Sequence, residues 1–386
     1  MHAFTFQTTP GLRFGHGCVA EAAEQLRALG AHSVMIVTDP GIAAAGLLER
    51  LEAPLRDAGI AFGVFDEVVA DPPEAVVSAA ADRARERGAD AIIGFGGGSV
   101  MDVAKVVAAL AGSDQPLEDM YGIGNVRGPR LPLVLVPTTA GTGSEVTPIA
   151  IVTTGETTKA GIVSPRLLPD LALLDPELTL GLPPAVTAST GIDAMVHAIE
   201  AYTSRHRKNP YSDMLAREAL TRMSRSLRRA VHDGTRDFDA RADMHYGAML
   251  AGQAFANAPV AAVHALAYPL GGHYHVPHGL SNALVLMPVL RFNAPAVAAL
   301  YAELLPCVDP AAHSAGDAAK DCDAFITALG RLIEDVALPR TLRSQKVTAD
   351  ALPMLAADAM LQQRLLVNNP RDVGESDALA IYREVY

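Results

Sequence analysis

The sequence is poor in the features that mark several protein classes. It has only three cysteines, Cys18, Cys307 and Cys322, an odd number with no CxxC pair. That argues against a disulfide framework or a cysteine zinc site and makes a reducing cytoplasm the default compartment. Charged residues make up only 19% of the chain, with 31 basic against 43 acidic and a net charge of −12. No dense Lys/Arg block occurs; Arg205-His206-Arg207-Lys208 is short and reads as a solvated helix end or loop. Nucleic acid and anionic membrane are therefore not expected partners. The N-terminal Met1–Phe6 stretch lacks the basic and apolar regions of a signal peptide. The longest apolar stretch, about Ala254 to Leu270, contains Asn257, His264 and two prolines. A bilayer span of about 20 apolar residues does not have that composition, so the stretch reads as a buried central helix.

Half of the 386 residues are hydrophobic, enough to bury a large core in two domains. The first part alternates strands with helices. Ser33–Thr38, Ala61–Phe65, Ala91–Phe95 and Leu133–Pro137 read as strands; Ala43–Ala58, Pro73–Gly88 and Val100–Ala111 read as helices. This rhythm predicts a parallel sheet with helices on both faces. After about Leu182 the chain is rich in Ala, Leu, Met and Arg at helical spacing. Helices are expected at Thr187–Arg205, Ser212–Asp233, Ala240–Leu270 and Asn282–Arg291, and a surface loop at Ala311–Ala319. Gly181, Pro183 and Pro184 punctuate the change. The expected domains are residues 1–182, α/β, and residues 183–386, all-α.

Gly94-Phe95-Gly96-Gly97-Gly98-Ser99 follows a strand and opens a helix. Bare backbone there admits a pyrophosphate, and a helix N-terminus offers free N–H groups with partial positive charge. The usual dinucleotide fingerprint has a third glycine where Ser99 stands and an acidic residue about 20 residues downstream. Here the candidate acid is Asp39, upstream at another strand end. It would accept bonds from ribose hydroxyls and repel a 2′-phosphate; alternatively it belongs to the turn before Pro40. A second small-residue loop, Thr138-Thr139-Ala140-Gly141-Thr142-Gly143-Ser144-Glu145, would bind phosphate, ribose or nicotinamide, or serve as an ordinary polar turn.

Asp193 and His197 stand four apart and share a helical face. His264 interrupts an apolar helix at a desolvation cost. His273, His275 and His278 follow in a histidine-rich loop, so four of the twelve histidines fall within 15 residues. Three imidazoles and a carboxylate suit Fe, Zn, Ni or Mn, and ligand type does not choose among them.

Nearly end to end, the chain resembles the iron-containing (group III) alcohol dehydrogenase family. The motifs are Gly96–Lys105 (GGGSVMDVAK), Pro137–Glu145 (PTTAGTGSE), Gly191–Tyr202 (GIDAMVHAIEAY), His264-Ala265-Leu266, Pro277-His278-Gly279 and Asn369-Pro370-Arg371. The resemblance implies a dinucleotide-binding α/β domain and a helical domain in a dehydroquinate synthase-like architecture. It implies metal ligands at Asp193, His197, His264 and His278. It implies contacts to NAD(H) at Asp39, Gly96, Gly97, Gly98, Ser99, Asp102, Thr138, Thr139, Thr142 and Lys159. One divalent metal is expected, Fe(II) first, with Zn(II), Ni(II) or Mn(II) as alternatives. The expected partners are a small alcohol, aldehyde or ketone and further copies of the chain, in the cytoplasm.

Two positions depart from the family pattern. Where many members carry a histidine four residues after the third metal ligand, this chain has Tyr268, which does not titrate near neutrality. Tyr268 and His273 are therefore the candidate proton relay. Asp71 replaces a frequent Asn, which unsettles a cofactor contact there. Two rival readings are a metal-free reductase of the maleylacetate type, opposed by the intact ligand set, and a lyase of the dehydroquinate synthase type, opposed by the lack of a dense basic set.

Overall fold

A computed structural model describes residues 3–155 and 158–386; Met1, His2, Glu156 and Thr157 lie outside the described residues. The chain forms two compact units. One runs from Gln7 to Gly181; the other runs from Leu182 to Tyr386 and includes the N-terminal residues through Phe6.

In the first unit the strands are β1 (Gly11–Phe14), β2 (Ser33–Val37), β3 (Ala61–Phe65), β4 (Ala91–Gly96), β5 (Gly122–Ile123), β6 (Leu133–Pro137), β7 (Ile149–Thr154), β8 (Thr158–Val163) and β9 (Leu171–Leu174). Six of them form one sheet in the order β1-β9-β6-β4-β2-β3, with every pair parallel. Side chains alternate along a strand, so both faces of this sheet need apolar cover. Ile92, Leu133 and Leu135 pack on one side with Met101, Ala104 and Val107 of the Gly98–Gly112 helix. Ile93, Phe95, Val134 and Val136 pack on the other with Leu26, Leu51 and Leu55.

A second, three-stranded sheet, β5-β8-β7, was not legible in the sequence, and its β7–β8 pair is antiparallel. Its hairpin places Ala150, Val152 and Ile162 in the same core as Met101. The helix expected over Ala43–Ala58 is two pieces, Pro40–Ala44 and Glu49–Asp57. Gly46 stops the first by taking a left-handed φ of 69°.

In the second unit, Pro184–Tyr202 is the central helix, buried along its C-terminal half from Gly191 onward. Pro210–His232 and Phe238–Asn257 pack against it, capped by Asn209 and Asp237, whose side chains accept N–H bonds from Ser212 and Ala240. The single helix expected over Ala240–Leu270 divides into Phe238–Asn257 and Ala262–Tyr274. Ala258 (φ −134°, ψ 89°) and Ala261 (φ −138°, ψ −129°) leave helical geometry around Pro259, which has no N–H to continue the ladder. The helix expected at Asn282–Arg291 begins at His278 and runs to Val308 across a kink at Val297. It is the one helix among the described residues long and apolar enough to cross a bilayer, and half of its most apolar stretch is buried in the fold. The expected histidine-rich loop shrinks accordingly. His273 lies in the last turn of Ala262–Tyr274, His275 is a left-handed cap (φ 52°), and His278 is the first residue of the next helix.

Candidate metal centre and cofactor loops

Three helices bring four side chains together. Asp193 and His197 lie one turn apart on Pro184–Tyr202, His264 comes from Ala262–Tyr274, and His278 opens His278–Val308. One ligating atom from each lies within 4.8 Å of all the others. The imidazole Nε2 atoms of His278, His264 and His197 stand 3.6, 3.8 and 4.0 Å from Asp193 Oδ1. The His197 ring stacks on His264 and on Phe255, with centroids 4.7 and 4.3 Å away.

Gly279 makes this convergence feasible. A Cβ there would sit 2.4 Å from the Ser189 carbonyl oxygen, so only glycine lets the helix start approach Pro184–Tyr202 closely enough to aim His278 at Asp193. Three of the ligands are nearly closed to solvent, whereas the His278 side chain is 36% exposed. The cluster therefore opens on the His278 side.

Two residues without an expected role complete the cluster. Glu200 lies on the same helical face as Asp193 and His197, and one of its oxygens accepts from Val263 N–H at 2.7 Å. The other stands 2.6 Å from His264 Nδ1. Nδ1–H is thereby the donor, and the Nε2 lone pair points into the cluster. That Nε2 is buried and has no hydrogen-bond partner among the described residues. A buried acceptor in this position fits a bound cation, as does the set of three imidazoles and one carboxylate. Asn282, one turn after His278, donates to Asp193 Oδ1 at 2.5 Å. Burial pushes the Asp193 carboxyl up, but the three imidazoles and Asn282 outweigh it and hold the group below its usual range. The signals in the sequence were the offsets Glu200 = Asp193 + 7 and Asn282 = His278 + 4.

The two relay candidates separate. Tyr268, one turn after His264, has its ring 6.1 Å from the His278 ring. His273 lies nine residues after His264, two and a half turns at about 3.6 residues per turn, hence on the opposite helix face. It pairs with Asp358 at 2.5 Å, and the structure does not bring it to the cluster.

The expected cofactor residues lie in the α/β unit. β2 leads outward to β3, whereas β4 leads the other way to β6 and β9. The order of connections reverses between β2 and β4, and ligands of open parallel sheets bind at the carboxyl ends of strands at such a point. Asp39 follows β2 and Gly97 follows β4. Asp39 caps the short Pro40–Ala44 helix by accepting from Ile42 N–H at 3.0 Å. Gly97 caps the Gly98–Gly112 helix without a side chain, which leaves the terminal N–H groups of Ser99 and its neighbours facing outward. The second loop lies alongside, because Gly96 and Pro137 are register partners and Thr138 N–H donates to the Gly96 carbonyl at 3.0 Å. A Cβ on Gly98 would stand 2.7 Å from Thr142 Cγ2, and one on Gly97 would stand 3.5 Å from Thr139 Cγ2. The Thr138 hydroxyl is buried with no partner among the described residues.

Asp102 and Lys159 have internal partners. Asp102 accepts from Ser144 Oγ at 2.6 Å and from Ile151 N–H at 2.9 Å. Lys105 was missed as a site residue: fully buried, it donates to Ser144 Oγ at 2.6 Å, Thr147 Oγ1 at 3.1 Å and the Ile149 carbonyl at 2.7 Å. It thus ties the Gly98–Gly112 helix to the second loop. Burial depresses its pKa to about 8, and burial raises that of Glu145, in the same loop, to about 7. Lys159, on β8, pairs with Asp71 at 2.5 Å.

Residues 10–176 match the family described as iron-containing alcohol dehydrogenase, and residues 187–386 match its C-terminal family. Long-chain-alcohol dehydrogenase 1 of Geobacillus thermodenitrificans is 41% identical, covering 96% of this chain and 94% of that one. A solved 1,3-propanediol oxidoreductase superposes with a TM-score of 0.96 at 35% identity, over the full length of both chains. Sulfoacetaldehyde reductase from Bifidobacterium kashiwanohense, solved in complex with NAD+, gives a TM-score of 0.88 at 30% identity, over 100% of this chain and 99% of that one. With both halves matched, the chain belongs to the iron-containing alcohol dehydrogenase family.

Proposed function

We propose that this protein is a metal-dependent alcohol dehydrogenase in which an alcohol and NAD+ give the aldehyde or ketone, NADH and a proton. The observation that carries the reading is the Asp193, His197, His264 and His278 cluster, with His264 Nε2 turned inward by Glu200. These four residues would hold the cation, Fe(II) first by family, with Zn(II), Ni(II) or Mn(II) as alternatives.

A divalent cation bound there supplies Lewis acidity, which lowers the pKa of a substrate hydroxyl and polarises a carbonyl. The protein's own groups do the rest. Asp193 contributes one negative charge in a dry setting, and Asn282 fixes its orientation. Stacking on Phe255 locks the His197 ring. The open His278 side admits substrate, and the Tyr268 phenol beside it passes the hydroxyl proton toward solvent. His273, paired with Asp358 on the far helix face, takes no part in this relay.

NAD(H) is assigned to the Asp39, Gly96–Ser99 and Thr138–Thr142 loops. Asp39 excludes a 2′-phosphate by charge, and the helix N-terminus after Gly97 takes the pyrophosphate. Asp102 and Lys159 support this site through Ser144 and Asp71. The domains are assigned as residues 1–182 for cofactor and 183–386 for metal and substrate. The three free cysteines, all buried, support a reducing cytoplasm. Family resemblance supports a homodimer or larger assembly.

The test is NADH formation from short alcohols and diols by chelator-stripped protein reloaded with each metal in turn. Metal-restored turnover is the expected outcome. Equal turnover without metal would overturn the reading in favour of a metal-free reductase.

A further inference from the structure

The Asn369-Pro370-Arg371 motif has no part in the metal or cofactor sites, yet the structure gives it a precise set of bonds. The neighbouring Asn368 Nδ2 donates both to the Arg364 carbonyl at 3.0 Å and to the Val260 carbonyl at 3.2 Å. Val260 lies in the break just before the His264 helix. Asn369 and Asn293 exchange amide bonds at 3.0 and 2.8 Å, which ties the same segment to the helix that begins at His278. The segment is thus fixed to both helices that carry ligands on the open side of the cluster.

Just before it stands Arg364. Its side chain is exposed, and its Nη2 donates to the Tyr268 hydroxyl at 3.4 Å. Among the described residues no carboxylate lies within ion-pairing distance of it. Tyr268 in turn borders His278, the exposed ligand. An unneutralised guanidinium, in contact with the Tyr268 hydroxyl and on a backbone held by Asn368, therefore stands one phenol ring away from the open edge of the metal cluster. A guanidinium presents a planar fork of donors that matches an oxyanion.

The geometry points to Arg364 as a specificity-determining residue that recognises an oxyanion, carboxylate or sulfonate, at the far end of the alcohol or carbonyl substrate. This rests on the metal-centre reading above. Asn368 and Asn369 are positioning residues: they hold Arg364 at the rim but touch no substrate. The preferred substrates are ω-hydroxy acids and their semialdehydes rather than plain alcohols.

The test uses a chain-matched pair, 4-hydroxybutyrate and 1,4-butanediol, with the metal-loaded full-length protein. NADH formation gives kcat/KM for each, and calorimetry without cofactor gives Kd for each, so that binding is read independently of turnover. In the wild type, 4-hydroxybutyrate binds more tightly than the diol. Arg364→Gln weakens the acid by about 10-fold or more relative to the diol, chiefly in KM and Kd, and Arg364→Lys restores part of the loss. Raising salt narrows the gap in the wild type but not in Arg364→Gln. 3-Hydroxypropane-1-sulfonate, which keeps the three-carbon spacer, measured in place of the acid separates sulfonate from carboxylate. Tighter binding of the diol by the wild type, or equal losses for both ligands in Arg364→Gln, would overturn the inference while leaving the dehydrogenase reading intact. Absence of turnover with every metal and alcohol, while the Kd difference persists, would instead overturn that reading and keep Arg364 as an anion site.

Discussion

Glu200 contributes no atom to the metal cluster, yet it decides which nitrogen of His264 faces it. Glu200→Gln keeps the size and removes the charge that fixes the Nδ1–H tautomer. The expected result is metal affinity about 10–100-fold weaker, read by chelator competition, with folding retained by circular dichroism. An unchanged affinity would mean that His264 is oriented by packing alone. Asp39 is the residue proposed to choose the cofactor. Asp39→Asn keeps a cap for Ile42 N–H but loses the charge. The ratio of kcat/KM for NADP+ over NAD+ should rise by about 10-fold or more, because a carboxylate next to a 2′-phosphate is repulsive. A ratio that stays flat would return Asp39 to the role of a simple turn residue.

At the scale of elements, the Gly279 contact is a sensitive point for the metal cluster. Gly279→Ala would put a methyl carbon against the Ser189 carbonyl oxygen, and backbone cannot yield as a side chain can. We expect a loss of about 1–3 kcal/mol of stability in denaturant unfolding, with a weaker metal site because His278 is pushed outward. Elements were legible where their physics is local. β2, β4 and β6 are continuous apolar runs that need both faces buried, and the pattern alone revealed them. β7 and β8 carry Thr153, Thr154 and Lys159, half-exposed, and Thr158, exposed, residues whose strand character comes from pairing with each other. The split of Ala240–Leu270 was missed because alanine-rich apolar spacing continues straight through Pro259. Asp193 and His197 were legible as an i, i+4 pair. Glu200 stood in the same motif unrecognised, because it acts through another residue. His273 was misplaced because its loop is in fact the end of a helix, and only the helical register reveals that it points away from His264.

For the whole molecule, the buried Lys105–Glu145 region gives stability a pH dependence. Glu145 has a folded pKa of about 7, raised by burial, against an ordinary value of 4.5. The folded state therefore binds more protons than the unfolded state between those values. Its contribution is full below about pH 4.5 and is lost as the pH rises through about 7. Glu145→Gln removes that loss. The variant should match the wild type near pH 4.5 and exceed it near pH 8 by up to about 3 kcal/mol, as measured by calorimetric melting at both pH values. A difference independent of pH would place the effect in packing instead.

The rings of Phe4 and Phe6 rest against Tyr211, with centroids 6.1 and 5.4 Å away, so the start of the chain is built into the helical unit. Every proposed cofactor residue precedes Gly181, and every proposed ligand follows Leu182. In genetic terms the two proposed chemistries fall in separate cassettes, but the cassette with the proposed ligands is split, because it includes the residues through Phe6. A graft that exchanges codons 7–181 would transfer cofactor choice while leaving metal and substrate choice behind. One that exchanges codons 1–181 would also replace the phenylalanines that fit Tyr211, and the hybrid would have to accommodate a foreign leader on its helical half.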